Sequence, residues 1–358
     1  MKPHTRRPPL PPSSAPPRAG GMAPVLKIVA GVTAVLSLAF AIRQASVYIT
    51  DYRQKRRHVS ELLVAAEIQR TAHDYRAAWA GLREAASSGD DAAVQTARET
   101  LAMAWLDDAR GSNGLTLGGI ADTVVPVLSR GLAGAQGARR GDLLAHLGWA
   151  HFFKWRDGQR QLDPAAQYRE ALVADSGNPY AHAMLGHWLL WNHESVAEAN
   201  GHFGAALASG RERHYVRHLQ LAAFDNLRDE SGDANLLRVA NDMRMRGDSI
   251  EAGGRDMLWN PYYSMLGRGR PGRAAGPLEA TLSPEELLLT YRWLFATSSY
   301  VESKGFLYTI QLARLEEAAG DSVSALASYR TALGQATDGY ADRRPDTESA
   351  IARLTRSR

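Results

Sequence analysis

The chain has 358 residues, 45% of them hydrophobic, with no cysteine and a formal net charge of +4. Disulfides, thiolate metal sites and thiol nucleophiles are therefore excluded. The charge is unevenly placed: residues 1–57 carry ten Lys and Arg against Asp51 alone, which leaves 32 basic and 37 acidic residues in the remainder. A nucleic-acid-binding body needs a basic patch, so DNA and RNA are not expected partners.

Residues 1–23 are rich in Pro, Ser and Arg and have too little apolar character to bury a core, so a disordered tail is expected. Within it, Pro8-Pro9-Leu10-Pro11-Pro12 has the composition of a polyproline helix, but a plain solvated tail is the better reading of these residues. Residues 25–42 (VLKIVAGVTAVLSLAFAI) are apolar except for Lys27, Thr33 and Ser37. As a helix they reach about 27 Å, enough for a bilayer core. A single transmembrane anchor is expected, with a cleaved signal peptide as the rival because Ala39-Phe40-Ala41 has the small-x-small form of a cleavage site. Gly31, Ala34, Ser37, Leu38 and Ala41 would give the span a small-residue face for another membrane helix. Residues 43–58 continue the helix as a basic collar (Arg43, Arg53, Lys55, Arg56, Arg57) that anionic headgroups would attract. The flanking charges are nearly balanced. The positive, acid-free tail favours the cytoplasm, which places the larger body in the periplasm of a bacterial inner membrane. The Ala/Arg/Gly-rich composition fits a bacterial source by association only.

Beyond residue 58 strand signals are nearly absent, and helix starts are frequent. Asp163-Pro164 and Ser283-Pro284-Glu285-Glu286 each place a cap residue before Pro at the first helical position. Small and large residues recur in one frame. In 59–92, Leu62, Ala65, Ala66 and Gln69 lie on one helix, His73-Asp74 turns the chain, and Ala78, Leu82 and Ala85 follow. In 141–178, Leu144, Leu147 and Gly148 answer Tyr168, Ala171 and Leu172, with a lengthened turn at 158–162. Asn178-Pro179 then leads to Ala181, Leu185 and Gly186, and Ala199, Phe203, Ala206 and Leu207 supply the next second helix. A weaker unit spans 212–246, and 93–140 and 247–300 depart from the frame while still reading as helical. In 309–336, Leu312 and Ala313 precede Gly320-Asp321 and then Ala325, Tyr329, Ala332 and Leu333. A polar helix from Pro345 to Leu354 would cover the last apolar face.

These spacings resemble the tetratricopeptide (TPR) repeat, over roughly half of the chain. The fold expected is all-α, a TPR-like helical-hairpin solenoid preceded by a single transmembrane helix. An unrelated helical bundle is the competing architecture. The expected organisation is a tail (1–23), anchor and collar (24–58), repeat array (59–266), Gly/Arg/Pro linker (267–280) and C-terminal helical module (281–358). The linker contains Gly267-Arg-Gly269-Arg-Pro-Gly272, which fits G-x-G-x-x-G but follows no strand and reads as a loop.

No catalytic constellation emerges, and an enzyme is not expected. The eight histidines between His146 and His218 include one i, i+4 pair, His214 and His218, and no H-E-x-x-H motif. No metal and no cofactor are expected. The resemblance implies a concave face lined by the first helix of each pair. Aligning Gly148 and Gly186 with the family's small residue puts Trp149, Phe152 and Phe153, then Tyr180, Ala183, His187, Leu190 and Trp191, on that face. Packing between helices is an equal reading for Trp149 and Trp191, and the better one for Trp188. The family's carboxylate-binding Lys/Asn clamp is not matched. The function expected is therefore a membrane-anchored scaffold or adaptor that binds protein partners in an aromatic groove, contacts lipid through its anchor and collar, and is able to self-associate. Rival functions are a subunit held in a membrane complex by its span, and an envelope enzyme with a His- and aromatic-lined site.

Overall fold

Side-chain caps set the helix boundaries along most of the chain. Asp74, Asp91, Asp163, Asn178, Ser195 and Asp321 each accept a hydrogen bond from a backbone N–H in the first turn of the helix that follows. Ser283 and Glu286 form a reciprocal capping box ahead of Pro284. A computed structural model describes residues 23–89, 91–109, 116–267 and 282–357. The side chains of 23–32, 34, 230, 260, 263–267, 298 and 338 are outside that description. Every regular element among the described residues is helical.

In chain order these are α1 (Ala23–Thr71), α2 (Tyr75–Ser88), α3 (Ala92–Asp107), α4 (Leu117–Leu132), α5 (Gly137–Arg156) and α6 (Pro164–Ala174). There follow α7 (Pro179–Trp191), α8 (Val196–Ala208), α9 (Arg213–Leu227), α10 (Glu230–Arg246) and α11 (Ala252–Gly267). The C-terminal elements are α12 (Pro284–Phe295), α13 (Ser298–Lys304), α14 (Phe306–Ala318), α15 (Ser322–Gln335), a 3-10 turn (Asp338–Arg343) and α16 (Arg344–Arg356). Neighbours in sequence pack as hairpins: α1 with α2, α3 with α4, α5 with α6, α7 with α8, α9 with α10, and α14 with α15. First helices also meet one another, α5 against α7 and α7 against α9, which stacks the hairpins into a solenoid. The stretches 93–140 and 247–300, which depart from the repeat frame in sequence, supply α3–α4 and α11–α13.

The seams explain the spacing. A Cβ on Gly148 would lie 2.6 Å from the Tyr168 ring, and one on Gly186 would lie 3.1 Å from both the Ala199 carbonyl and the Phe203 ring. The small residue of α5 or α7 is the hole that receives the aromatic of its hairpin partner, and Tyr168 and Phe203 are wholly buried there. Helix ends repeat one turn: the residue in the left-handed conformation is His73, His193, Gly247 or Gly320, and the next N–H reaches back five residues to close it.

One core runs from Ala66 to Leu315. It includes residues on both sides of the expected linker: the Tyr262 hydroxyl donates to the Leu287 carbonyl at 3.0 Å, and Trp259 meets Phe295 edge-on. Residues 268–281 lie outside the described residues, as does the tail before Ala23. A second, smaller core (Phe306, Ile310, Tyr329, Leu354) joins α14, α15 and α16, with α16 as the terminal cover.

The N-terminal half of α1 is different. Every described side chain from Val35 to His58 is exposed, and packing against α2 and α3 begins at Val59. Ser37, Leu38 and Ala41 are exposed, whereas the side chains of Gly31 and Ala34 lie outside the description. Among the described residues no helix is long and apolar enough to cross a membrane, and residues 25–32 of the expected span are not covered by that statement.

Candidate partner-binding face

Stacking first helices side by side leaves one face of each turned toward the same space. Side chains from the ends of α1 and α3, from the starts of α2 and α4, from α5 and α7, and from the starts of α9 and α11 enclose a cavity of about 750 Å³ there. Its wall on α5 is Trp149, Phe152, Phe153 and Arg156, one residue per turn or its neighbour on the same face. Tyr180 and His187 of α7 face them, and His214, Tyr215, His218 and Leu219 of α9 continue the wall.

The sequence-predicted aromatics do converge. Trp149 and Phe152 stack with centroids 4.9 Å apart, His187 meets both edge-on, and Phe152 meets Trp191 edge-on at 5.3 Å. They are nevertheless mostly interior. Trp149 is 7% exposed, Phe152 1%, Phe153 4% and His187 2%. Trp149 also donates its indole N–H to the Leu106 carbonyl at 3.3 Å. Leu190 and Ala183 are fully buried and line no part of the cavity. Trp191 is half-buried at the margin, where the Arg156 guanidinium lies 4.8 Å above its ring. Trp188 packs edge-on against Trp155 in the interhelical layer. The aromatics thus form the floor and back wall of the face, with limited area open to a partner.

The polar lining was not legible in the sequence. Asp107 and Asp108 end α3, Glu212 precedes α9 in the left-handed conformation, and Glu251 precedes α11. Asp108 accepts from the Tyr75 hydroxyl at 3.0 Å and lies 2.7 Å from His73 Nδ1, and Glu251 lies 3.3 Å from His214 Nε2. The Tyr75 hydroxyl is pushed well above its ordinary range by burial and by Asp108. Tyr180 is raised by burial, by Asp107 and by Glu212.

Behind Asp107 lies His146, 1% exposed. Its Nδ1–H donates to the Asp142 carbonyl at 2.6 Å, and its Nε2 is 3.4 Å from Asp107. Burial alone would lower the His146 pKa, but Asp107 and the Asp142 carbonyl together outweigh it and hold it above 6.5. A raised histidine contributes stability fully below its unfolded value and loses it as pH rises through the folded one. The difference in unfolding free energy between the native chain and His146→Gln should therefore be largest below pH 6.5 and shrink above it. Denaturant titrations across this range read that difference, and a difference that grows with pH would contradict the assignment.

Among the described residues no group of three or more His, Asp or Glu is arranged to hold a metal ion. His214 and His218 both border the cavity.

No protein-family model matches the chain, and no curated protein does. Among solved structures it is similar to a tetratricopeptide repeat protein from Parabacteroides merdae, at 9% identity and a TM-score of 0.39, over 84% of this chain and 99% of that one. The class stands on the chain's own seams. It is a stack of helical hairpins in which small residues of one helix receive large residues of the next, a TPR-like packing.

Proposed function

We propose that the protein is a membrane-anchored scaffold that holds a segment of another protein against the face formed by α5, α7 and α9. The observation that carries this reading is the 750 Å³ cavity, which eight helices build from side chains distant in sequence. A cavity with an aromatic floor and a polar rim is the usual form of a recognition site.

The anchor is supported by residues 25–42 and by the exposed part of α1. Val35, Leu36, Leu38, Phe40 and Ile42 are each more than 60% exposed. At about 100° per residue they spread over roughly 200° of the helix circumference, with Ser37 and Ala41 on the remaining side, so more than half of the surface is apolar and suits lipid. Arg43, Arg53, Lys55, Arg56 and Arg57 are exposed just beyond, where headgroups would meet them. The positive, acid-free tail before the span favours the cytoplasm, which would put the body on the periplasmic side of a bacterial inner membrane.

Photo-crosslinking in native membranes tests the site. A benzophenone side chain at His214 or Glu251, on the cavity rim, should give a discrete protein adduct. The same group at Val173, which is 88% exposed away from the cavity, should not. Equal labelling from all three positions, or none from the rim, ends the groove reading. Adducts confined to Ser37 would instead favour a subunit held through its span. Alkaline extraction tests the anchor, since release of the full chain into the soluble fraction would remove it.

A further inference from the structure

We infer that the cavity is selective for an extended protein segment carrying an arginine or lysine beside an apolar residue. This rests on the reading of the face as the partner-binding surface and adds its specificity. The argument begins with charge. Four carboxylates line the cavity (Asp107, Asp108, Glu212 and Glu251) against two guanidinium groups, Arg70 and Arg156. Arg70 is already engaged away from it, donating to both oxygens of Glu67 at 2.8 and 2.6 Å. Arg156 lies over the Trp191 ring.

The partners of the carboxylates matter more than their number. Among the described residues Asp108 meets His73 and Tyr75, Glu251 meets His214, and Glu212 meets Tyr180. The partners of these three carboxylates are imidazole and phenol side chains, not guanidinium or ammonium groups. Asp107 is backed by His146, but at 3.4 Å that contact is longer than a charge-assisted hydrogen bond normally is. The carboxylate keeps acceptor capacity for a group inside the cavity.

A second observation is independent of charge. Tyr215 lines the cavity, and its hydroxyl is closed to solvent and makes no hydrogen bond of normal length, with Asp107 as its nearest charged partner. The wholly buried Tyr168 hydroxyl beside it is likewise without a hydrogen-bond partner. A buried hydroxyl in that state is costly unless a polar group reaches it. A guanidinium or ammonium group offers several N–H donors at once, enough for Asp107 and Tyr215 together. The half-buried Tyr180 ring then offers cation–π attraction, and the half-buried Met103, Leu117 and Met257 of the lining give a neighbouring apolar residue its contact. An anionic segment would meet the same four carboxylates with its own charge.

The test uses the full chain in detergent and three labelled pools of short peptides that share one aromatic position. In the first pool the variable charged positions are Arg or Lys, in the second Gln, and in the third Asp or Glu. At neutral pH and low salt the first pool should bind about tenfold more tightly than the others. That preference should shrink as salt rises. Glu212→Gln with Glu251→Gln alters only rim positions and should cut the preference to about threefold or less, with an unchanged helical circular-dichroism spectrum. Asp107→Asn should act in the same direction. Equal or tighter binding of the acidic or neutral pool overturns the charge assignment while leaving the groove intact. A preference that survives all three substitutions places its origin elsewhere and also overturns it. If no pool binds and no rim crosslink forms, the groove reading fails with it.

Discussion

Replacing Arg217 with methionine is expected to destabilise the protein by about 3 kcal/mol, among the largest effects of any single charge substitution. Arg217 lies on α9 and is 3% exposed. Its Nε donates to Asp248 at 3.0 Å, one Nη donates to Gln220 at 3.0 Å, and the other reaches Asp242. Removing it strands two carboxylates that the fold has taken partly out of water. The cost stays near the lower end for a broken buried pair because Arg213 still donates to Asp248 at 2.5 and 2.8 Å, and Arg246 to Asp242 at 2.7 Å. The pH dependence has a fixed sign. Burial raises Asp242 and Asp248, but hydrogen bonds and charge from their arginines more than offset it, so both are held below 3.8. A depressed carboxyl contributes stability above its unfolded pKa and loses it as pH falls through the folded one. The native chain should thus lose stability below pH 3.8 more steeply than Arg217→Met. Urea midpoints read both effects, and a shift worth less than about 1 kcal/mol would mean that the network is solvated in solution.

Truncating Phe203 to alanine should cost about 3–5 kcal/mol. Phe203 is wholly buried on α8, its ring meets Gly186 of α7, and its centroid is 6.3 Å from that of Phe224 on α9. One side chain therefore ties two successive hairpins. The reverse perturbation, Gly186→Val, overpacks the same seam, because the Ala199 backbone carbonyl 3.1 Å from the new Cβ cannot rotate away. That substitution should cost about 1–3 kcal/mol. Gly186→Ala should be cheaper when Phe203 is already alanine, since the two share one contact, and a double-mutant cycle reads this coupling. Strict additivity would show that Gly186 and Phe203 do not share a contact across the α7–α8 hairpin.

The seams were legible because their chemistry is local. Gly148 with Tyr168, Gly186 with Phe203, and the run Ala78, Leu82 and Ala85 repeat a small-large alternation that only one hairpin geometry satisfies. Helix starts at Pro164 and Pro284 were legible for the same reason, since a cap and its helix are neighbours in sequence. The site was less so. Register gives the direction in which Trp149 or Leu190 points, but not whether the next helix covers it. The acidic rim was invisible because its members sit at helix ends and turns, from Asp107 to Glu251, that periodicity does not describe. Glu212 shows the same limit: it takes a left-handed backbone with a non-glycine side chain, and nothing local marks it.

The unbroken course of α1 has a geometric consequence. From Ala23 to Thr71 it is one helix of 49 residues, and its last turn supplies Arg70 to the cavity. A flexible tether would let the cavity sample every bearing. A continuous helix instead fixes an azimuth, because each residue adds about 1.5 Å of height and about 100° of rotation. Two residues inserted between Arg43 and Arg57 would lift the body by only about 3 Å yet swing the cavity through roughly 200°, to the opposite side of the axis. Helical phase, more than reach, decides which neighbours the acidic mouth can meet.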